Sequence, residues 1–199
     1  MPKRSAGLLM FRGAGADLAV LLVHPGGPFW AKKDLGAWSI PKGEYPDDED
    51  PLAVAQREFA EETGAQPRGH FWALGEIVQA GGKRVSAWAV EGDFDPAALV
   101  SNTFEMEWPP RSGRKRSFPE VDRAEWFSPE AAREKINAGQ RVFVDRLVEL
   151  VVGGATRPPS PAGPPTGSSA GGETPSASRR TGGASPARPR RRARPGAPR

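Results

Sequence analysis

The segment from Gly43 to Ala65 constrains this chain more than any other, because it specifies a helix whose two ends are both marked. Its sequence is GEYPDDEDPLAVAQREFAEETGA. Asp50 can accept hydrogen bonds from free backbone N–H groups, and Pro51 suits the first helical position. Thr63-Gly64 marks the end, since glycine readily takes the left-handed conformation of a helix cap. We therefore predict a helix of about three and a half turns between these marks, at roughly 3.6 residues per turn.

Three glutamates share one side of this predicted helix. Glu58, Glu61 and Glu62 fall within roughly a 100° arc, because each residue turns the helix by about 100°. Like charges this close repel one another, so the arc is either a solvated acidic face or a cation site. Arg57 adjoins the cluster and a glycine-bearing loop precedes the helix, which favours a hard divalent ion with oxygen ligands. We predict Mg²⁺, with Mn²⁺ as a substitute.

The fixed positions of this segment resemble the signature of the Nudix hydrolases, a family that cleaves nucleoside diphosphates linked to another moiety. Only Ala65 departs from it, since a larger aliphatic residue is usual there. The resemblance implies an α/β fold, specifically an α/β/α sandwich with a mixed central sheet. The positions that carry the resemblance are Gly43, Glu49, Arg57-Glu58, Glu61-Glu62 and Gly64.

The same resemblance implies roles for individual residues. Arg57 would orient one of the glutamates through a bidentate pair, and Glu49 would brace the loop against the helix. The implied metal ligands are the carbonyl of Gly43 and the side chains of Glu58, Glu61 and Glu62.

The resemblance leaves the general base open, because Nudix enzymes differ in where they keep it. One alternative is Glu58 or Glu61 within the helix. The other is a glutamate in a loop before the last strand, where Glu120 stands in SFPEVDRAEW. Glu105 and Glu107 are alternative candidates in the same region. Glu120 could instead be an exposed loop acid without a catalytic role.

A short run before the helix adds predicted substrate contacts. Residues 38–43, WSIPKG, resemble the matching part of Nudix enzymes that act on dinucleoside polyphosphates and on diphosphoinositol polyphosphates. Lys42 would supply a point charge to a phosphate that is not attacked, and we include Trp38 among the contacts. Arg114 and Lys115, in the loop RSGRKRS, form either a second anion contact or a solvated basic loop. Three further tryptophans could stack on a base or simply pack: Trp30, Trp88 and Trp108.

Composition excludes several kinds of site. The chain has no cysteine, which excludes disulfides, thiolate zinc sites and cysteine nucleophiles. No apolar run approaches the roughly 20 residues that span a bilayer, and the N-terminus lacks the features of a signal peptide. We therefore expect a cytoplasmic protein without a membrane partner.

The charge is divided between two parts of the chain. The whole chain carries a net charge of +4, yet residues 151–199 hold nine arginines and one acid, which leaves −4 for residues 1–150. Residues 153–199 also hold ten prolines and no apolar side chain larger than alanine, so they cannot bury enough surface to offset their ordering entropy. We predict a domain over residues 1–152 and a disordered tail over 153–199. The tail is either simply solvated or binds nucleic acid weakly by counterion release.

Turn signals and hydrophobic periodicity predict the order of elements in residues 1–152. The predicted strands are Ser5–Met10, Leu18–His24, Trp38–Ile40, Phe71–Ala80, Arg84–Glu91 and Arg123–Phe127. Residues 92–120 lack a pattern and are predicted to be irregular. Two helices follow, one starting at Ser128-Pro129 and one covering Arg141–Val152. A mixed sheet with helices on both faces fits this order.

These features predict a Mg²⁺-dependent hydrolase that acts on a dinucleoside polyphosphate or a similar nucleotide with a long phosphate chain. ADP-ribose or an oxidised nucleoside triphosphate is the alternative substrate. A module that only senses a nucleotide, with a nucleic-acid-binding tail, is the alternative from another class. That module is disfavoured because this chain keeps all four glutamates of the signature.

Overall fold

The computed structural model describes residues 3–153, and the structural statements below concern that range. The described chain forms eight strands and three helices. The strands are β1 (Arg4–Arg12), β2 (Ala19–Pro25), β3 (Lys42–Tyr45), β4 (Phe71–Val78), β5 (Arg84–Glu91), β6 (Thr103–Glu107), β7 (Lys115–Pro119) and β8 (Val121–Phe127). The helices are α1 (Pro51–Thr63), α2 (Pro129–Lys135) and α3 (Arg141–Val152).

Strand β1 organises the main sheet, whose order is β4-β5-β1-β2-β8. It pairs in parallel with β5 along its length, from Arg4 to Phe11. On its other edge, the first half pairs with β3 and the last residues pair with β2, both antiparallel. The sheet is therefore mixed, as the sequence predicts, and β3 shares one edge of β1 with β2.

The helices cover both faces of this sheet and close two separate cores. On one face, α1 packs Val54, Ala55 and Phe59 against residues of β1, β2 and β8. On the other, α2 and α3 pack residues such as Ala132, Phe143 and Leu147 against the alternate side chains of the same strands. This two-faced burial confirms the predicted α/β/α sandwich.

Helix α1 begins and ends where the sequence marks it. The side chain of Asp50 accepts a hydrogen bond from the backbone N–H of Ala53 at 3.0 Å, and Pro51 is the first helical residue. Gly64 takes the left-handed conformation with φ of 80°, and its N–H donates to the carbonyl of Ala60. Ser128 caps α2 in the same way, by accepting from the N–H of Ala131.

Two predictions about local structure are wrong. Residues 38–40 form only isolated bridges, and the strand lies further along the chain, over Lys42–Tyr45. The region 92–120 is not irregular, because β6 and β7 pair antiparallel as a separate two-stranded sheet. Its polar, arginine-rich sequence hides the strands, since only Phe104, Met106 and Phe118 supply apolar side chains to the pairing.

The predicted domain limit at residue 152 coincides with the last residue of α3. The tail predicted over 153–199 lies, apart from Gly153, outside the described residues, so its disorder and its binding of nucleic acid stay predictions. No helix within residues 3–153 is long and apolar enough to cross a membrane.

We predict that Gly64→Ala destabilises the domain more than Gly36→Ala does. Both glycines have positive φ, 80° and 69°, so both variants carry the strain of a left-handed residue, about 1–2 kcal/mol. A Cβ atom at Gly64 would also lie 2.9 Å from Cβ and 3.0 Å from the carbonyl oxygen of Val100, whereas nothing lies within 4 Å at Gly36. The N–H of Val100 is bonded to the carbonyl of Thr63 at 3.1 Å, which limits relaxation.

Urea unfolding of the two variants checks this expectation. We expect a cost of about 2–4 kcal/mol for Gly64→Ala and about 1–2 kcal/mol for Gly36→Ala. Equal costs would show that the contact with Val100 relaxes freely.

Candidate active site

Strand β3 and helix α1 meet at the glutamates that the sequence singles out. A Cβ atom at Gly43 would fall 1.8 Å from Oε2 of Glu58, so a side chain here would displace that carboxylate. Glycine at this position of β3 lets the strand backbone lie directly against the Glu58 carboxylate.

Burial dominates the electrostatics of Glu62, the last glutamate of the cluster. It raises the pKa of Glu62 to about 8, opposed by the positive charge of Lys42 and by a 3.3 Å hydrogen bond from the Lys42 backbone N–H. The negative charges of Glu58 and Glu120 raise the same pKa further. In the absence of a bound metal ion, Glu62 thus holds a proton at neutral pH.

Arg57 lies along the cluster but bonds most closely to a residue outside it. Its Nη1 donates to Oε2 of Glu49 at 2.7 Å, whereas Oε1 of Glu58 and of Glu61 lie 3.7 Å and 3.9 Å from its nitrogens. The predicted bidentate pair with a cluster glutamate is therefore not formed. The Glu49 contact instead ties the loop before α1 to the helix. Burial raises the pKa of Glu58, as does the charge of Glu61, while Arg57 opposes the rise.

Glu120 stands between β7 and β8. Its negative charge helps to raise the pKa of both Glu58 and Glu62, which indicates that it lies near the same cluster. Two backbone bonds hold its position, from its N–H to the carbonyl of Asn102 (2.8 Å) and from the N–H of Gly26 to its carbonyl (2.9 Å). The structure therefore brings the predicted loop glutamate to the helix carboxylates.

The rival acids Glu105 and Glu107 lie on β6 instead. Glu107 accepts a hydrogen bond from the N–H of Gly113 at 2.8 Å, and Glu105 lies 4.0 Å from Nζ of Lys115. Both carboxylates thus serve contacts within the β6–β7 hairpin.

Comparison with known proteins decides what kind of site this is. The sequence matches the profile of the NUDIX domain over residues 1–147, which is most of the chain. The chain belongs to the Nudix family. It is an enzyme, a pyrophosphohydrolase that acts on phosphoanhydride bonds. A comparison with curated proteins finds no match.

Solved structures of the Nudix fold superpose on this chain. An Ap4A hydrolase of C. elegans in a binary complex aligns with a TM-score of 0.53 at 18% identity, over 75% of this chain and 98% of that one. The NUDIX domain of Shewanella oneidensis NrtR, complexed with ADP ribose, gives 0.52 at 16%, over 75% and 88%. A mutT/nudix family protein of Listeria innocua gives 0.51 at 15%, over 77% and 96%. At these identities the likeness establishes the fold.

A divalent cation is the cofactor that the Nudix family implies. Among residues 3–153, no three carboxylate or imidazole side chains are already arranged to hold an ion. The donors nevertheless suit Mg²⁺ in kind, since they are carboxylate oxygens, and burial together with their mutual repulsion raises the pKa of Glu58 and Glu62.

Apart from the carboxylate cluster, this Nudix hydrolase has a cavity of about 510 Å³ on the α3 side of β3, and no aspartate or glutamate lines it. Lys42 belongs to both places, because its backbone N–H bonds to Glu62 while its side chain lines the cavity. Burial lowers the pKa of the Lys42 ammonium, and the charge of Glu62 opposes that decrease. Lys42 therefore lies next to the carboxylates, and its contact with a phosphate stays a prediction.

The prediction that Trp38 contacts the substrate needs correction. Trp38 is only 1% exposed, and its ring packs edge-on against Phe127 and His24 in the core. Its Nε1 donates to Asp34 at 2.9 Å, so its polar atom is also engaged. Trp38 therefore packs between the sheet and α2. Trp30, by contrast, lines the cavity.

Arg114 and Lys115 lie on the β6–β7 hairpin and are exposed. The hairpin contacts the domain through Trp108, whose ring stacks edge-on with that of Phe29 at 5.5 Å. No described contact joins either cation to the carboxylates, so their role as an anion contact stays a prediction.

Sequence reasoning missed several polar residues near the site. Asn102 donates its backbone N–H to the carbonyl of Glu61 at 3.0 Å, and its own carbonyl accepts from the N–H of Glu120 at 2.8 Å, so it links the end of α1 to Glu120. Gln79 and Lys83 line the cavity from the turn between β4 and β5, and Gln140 lines it from the segment before α3. They carry no local motif, because only the folded sheet brings those segments together.

We predict that Mg²⁺ stabilises this Nudix hydrolase more at pH 9 than at pH 7. The folded-state pKa of Glu62 is raised to about 8, so its protonated form contributes stability at low pH that is lost as the pH rises through 8. A metal needs the ionised form and must displace that proton at pH 7, so its affinity falls about tenfold per pH unit below 8.

Thermal unfolding with and without Mg²⁺ at both pH values measures this effect. In Glu62→Gln, we expect the gain from Mg²⁺ to shrink and its pH dependence to disappear. A gain from Mg²⁺ that is equal at both pH values in the unaltered protein would contradict the assignment of Glu62 as the titrating ligand.

Proposed function

We propose that this Nudix hydrolase is Mg²⁺-dependent and cleaves nucleotides with a long phosphate chain, with a dinucleoside polyphosphate as the best substrate. The observation that carries the proposal is the position of Lys42, which adjoins Glu62 through its backbone and lines a cavity with its side chain. A phosphate chain attacked at the carboxylates would extend past this ammonium, which favours substrates with more than two phosphates.

In the proposed reaction, water adds across a phosphoanhydride. The water oxygen forms a bond to phosphorus, the bond to the leaving phosphate oxygen breaks, and one water proton passes to a carboxylate. When bound, the divalent ion neutralises phosphate charge and lowers the pKa of a coordinated water. Glu58, Glu61 and Glu62 would hold that ion with the carbonyl of Gly43.

Glu120 and the helix glutamates are the candidates for the general base. Glu120 is on a backbone held at both its N–H and its carbonyl, and it faces the cluster, which suits a base that must reach a water from a fixed position. Glu58 or Glu61 would serve if the substrate enters from the other side. Arg57, bound to Glu49, would keep the positive charge that limits repulsion among these acids.

Related structures do not choose between the candidate substrates. The C. elegans protein is an Ap4A hydrolase and the Shewanella domain is complexed with ADP ribose, yet both superpose on this chain to a similar extent. ADP-ribose is therefore the second candidate. The number of phosphates in the substrate separates the two, since ADP-ribose offers only a diphosphate.

We predict that Glu62→Gln lowers kcat at least 100-fold, about 2.7 kcal/mol of transition-state stabilisation. Glutamine resembles the protonated form that Glu62 holds in the metal-free protein, so the fold should persist while a charged ligand is lost. The matched control is Glu149→Gln, which neutralises an exposed glutamate on α3. Steady-state hydrolysis with Mg²⁺ measures both, and undiminished turnover in Glu62→Gln or in excess EDTA would rule out the metal assignment.

We predict that Lys42→Met loses more kcat/KM on a four-phosphate dinucleotide than on ADP-ribose, by on the order of 1–2 kcal/mol. Methionine keeps most of the aliphatic stem and removes the charge, so the loss reports on contact with phosphate. The measurement compares kcat/KM on the two substrates in both proteins. Equal losses would remove the reason for preferring polyphosphates and would favour ADP-ribose.

A further inference from the structure

A buried histidine lies between two oxygen acceptors where the end of β2 meets the start of β8. The ring of His24 is 0% exposed. Its Nδ1 lies 2.7 Å from Oδ1 of Asp122, and its Nε2 lies 2.8 Å from the backbone carbonyl oxygen of Lys33. A carbonyl and an ionised carboxylate accept hydrogen bonds and cannot donate them. Each ring nitrogen therefore needs a hydrogen, and a histidine with a hydrogen on both nitrogens is an imidazolium cation.

The groups that face this histidine suit a buried cation. The side chain of Asp122 is 30% exposed, and Nε of Arg123 lies 3.6 Å from the oxygen that contacts the ring. A carboxylate that meets both water and a guanidinium can balance the charge of a buried imidazolium. On the other side, the uncharged ring of Trp38 packs edge-on against the histidine. The remaining charges of this neighbourhood are those of Asp34 and Lys135, which pair with each other.

The same histidine holds the loop that runs from β2 to the cavity. Within the described range, residues 27–33 make one hydrogen bond to the rest of the chain, from His24 to the carbonyl of Lys33. The backbone N–H of Lys33 in turn donates to the carbonyl of Trp30 at 2.7 Å, and its ammonium lies 4.4 Å from the centroid of the Trp30 ring. Because Trp30 lines the cavity, a chain of contacts leads from the buried histidine to the cavity wall.

Loss of one hydrogen from the ring would break one side of this arrangement. The charged carboxylate of Asp122 makes the stronger bond and would keep the hydrogen on Nδ1. Nε2 would then present a lone pair to the carbonyl of Lys33 and leave that oxygen without its donor. The loop would lose its hydrogen bond to the sheet, and Trp30 would lose the anchor of its backbone.

We propose that His24 is a positioning residue that works as an imidazolium and holds Trp30 in the cavity wall through the carbonyl of Lys33. Asp122 supplies the balancing charge. The loop is fixed while the ring has both hydrogens and is released when the ring loses one, so the proton of a core residue sets the shape of the cavity. The inference rests on the proposed function only in its kinetic test, because KM depends on the substrate reaching the wall that Trp30 forms.

NMR of the full chain tests the proposal without substrate or metal. Histidine labelled with ¹⁵N reports whether each ring nitrogen carries a hydrogen, and His70→Asn separates the signals of the two histidines in the chain. At pH 7 we expect a hydrogen on both nitrogens of His24. As the pH is raised, the indole N–H signal of Trp30, assigned with Trp30→Phe, should shift with the same midpoint as the His24 ring.

Variants separate the ring proton from other effects of pH. His24→Gln keeps a donor for the carbonyl of Lys33 and removes the titrating ring, so its Trp30 signal should stay constant over the same pH range. Asp122→Asn removes the balancing charge, so one ring nitrogen should lack a hydrogen at pH 7. This second variant is the test if the glutamine variant does not fold. Asp17→Asn is the matched control, because it removes an equal charge at an exposed residue between β1 and β2, and it should behave as the unaltered protein does.

Kinetics with Mg²⁺ and a polyphosphate nucleotide give the functional readout. At pH 7, the KM of His24→Gln should lie within about twofold of that of the unaltered protein. Above the midpoint of the His24 ring, the KM of the unaltered protein should exceed that of the variant at least about threefold, while the two kcat values stay within about twofold. Effects of pH on the carboxylates and the metal are common to both proteins and cancel in this comparison.

Three results would overturn the proposal. They are a ring nitrogen of His24 without a hydrogen at pH 7, a Trp30 signal that does not change together with the His24 ring between pH 7 and pH 10, and the same Trp30 shift in His24→Gln as in the unaltered protein. Failure of the proposed function looks different. In that case the protein with Mg²⁺ does not hydrolyse polyphosphate nucleotides, while the NMR signals of His24 and Trp30 still change together.

Discussion

The structure depends on holding several carboxylates together against their own repulsion. Buried acids are unfavourable unless a proton, a cation or a hydrogen bond compensates them, and each of these appears around α1. Arg57 lies along Glu58 and Glu61, the backbone of Lys42 donates to Glu62, and burial leaves Glu62 protonated at neutral pH. The apolar side of the same helix, with Phe59 fully buried, supplies the packing that keeps these acids in place.

Strand β3 connects this cluster to the rest of the site because its successive residues face opposite sides of the sheet. Gly43 meets Glu58 on the α1 side, where a Cβ atom would displace the Glu58 carboxylate. Lys42 turns its side chain into the cavity on the α3 side. The backbone of β3 therefore separates a region of negative charge on one face of the sheet from a region of positive charge on the other. Such an arrangement suits a substrate that must be attacked at one phosphate and held by another.

The sequence predicts the parts of this site that depend on local chemistry. The ends of α1 follow from Asp50, Pro51 and Gly64, and the arc of glutamates follows from helical spacing. It does not predict β3, because a short strand next to a proline and a glycine has no period to detect. It also assigns Trp38 to the substrate, since a tryptophan beside a signature looks the same whether it points to a ligand or to the core.

Residues whose positions depend on long-range pairing are the hardest to predict from the sequence. Gln140 reaches Ile40 across 100 positions of sequence, and no motif marks either residue. The β6–β7 hairpin is equally hard to predict from the sequence. Polar and apolar residues alternate only weakly along its strands, and the two strands form a separate sheet. The position of Glu120 in the chain order can be predicted because it lies close to the last strand, while its catalytic role stays a prediction.

The way Glu120 is held has a consequence for how this enzyme could diversify. Its backbone bonds to Asn102 and Gly26, both of which lie outside the β6–β7 hairpin. The hairpin leaves the domain just after Asn102 and returns just before Glu120, so its two ends meet at this pair of bonds. Residues could be added to or removed from its tip, and the glutamate would keep its place beside α1. The hairpin can thus acquire new surface chemistry without moving Glu120.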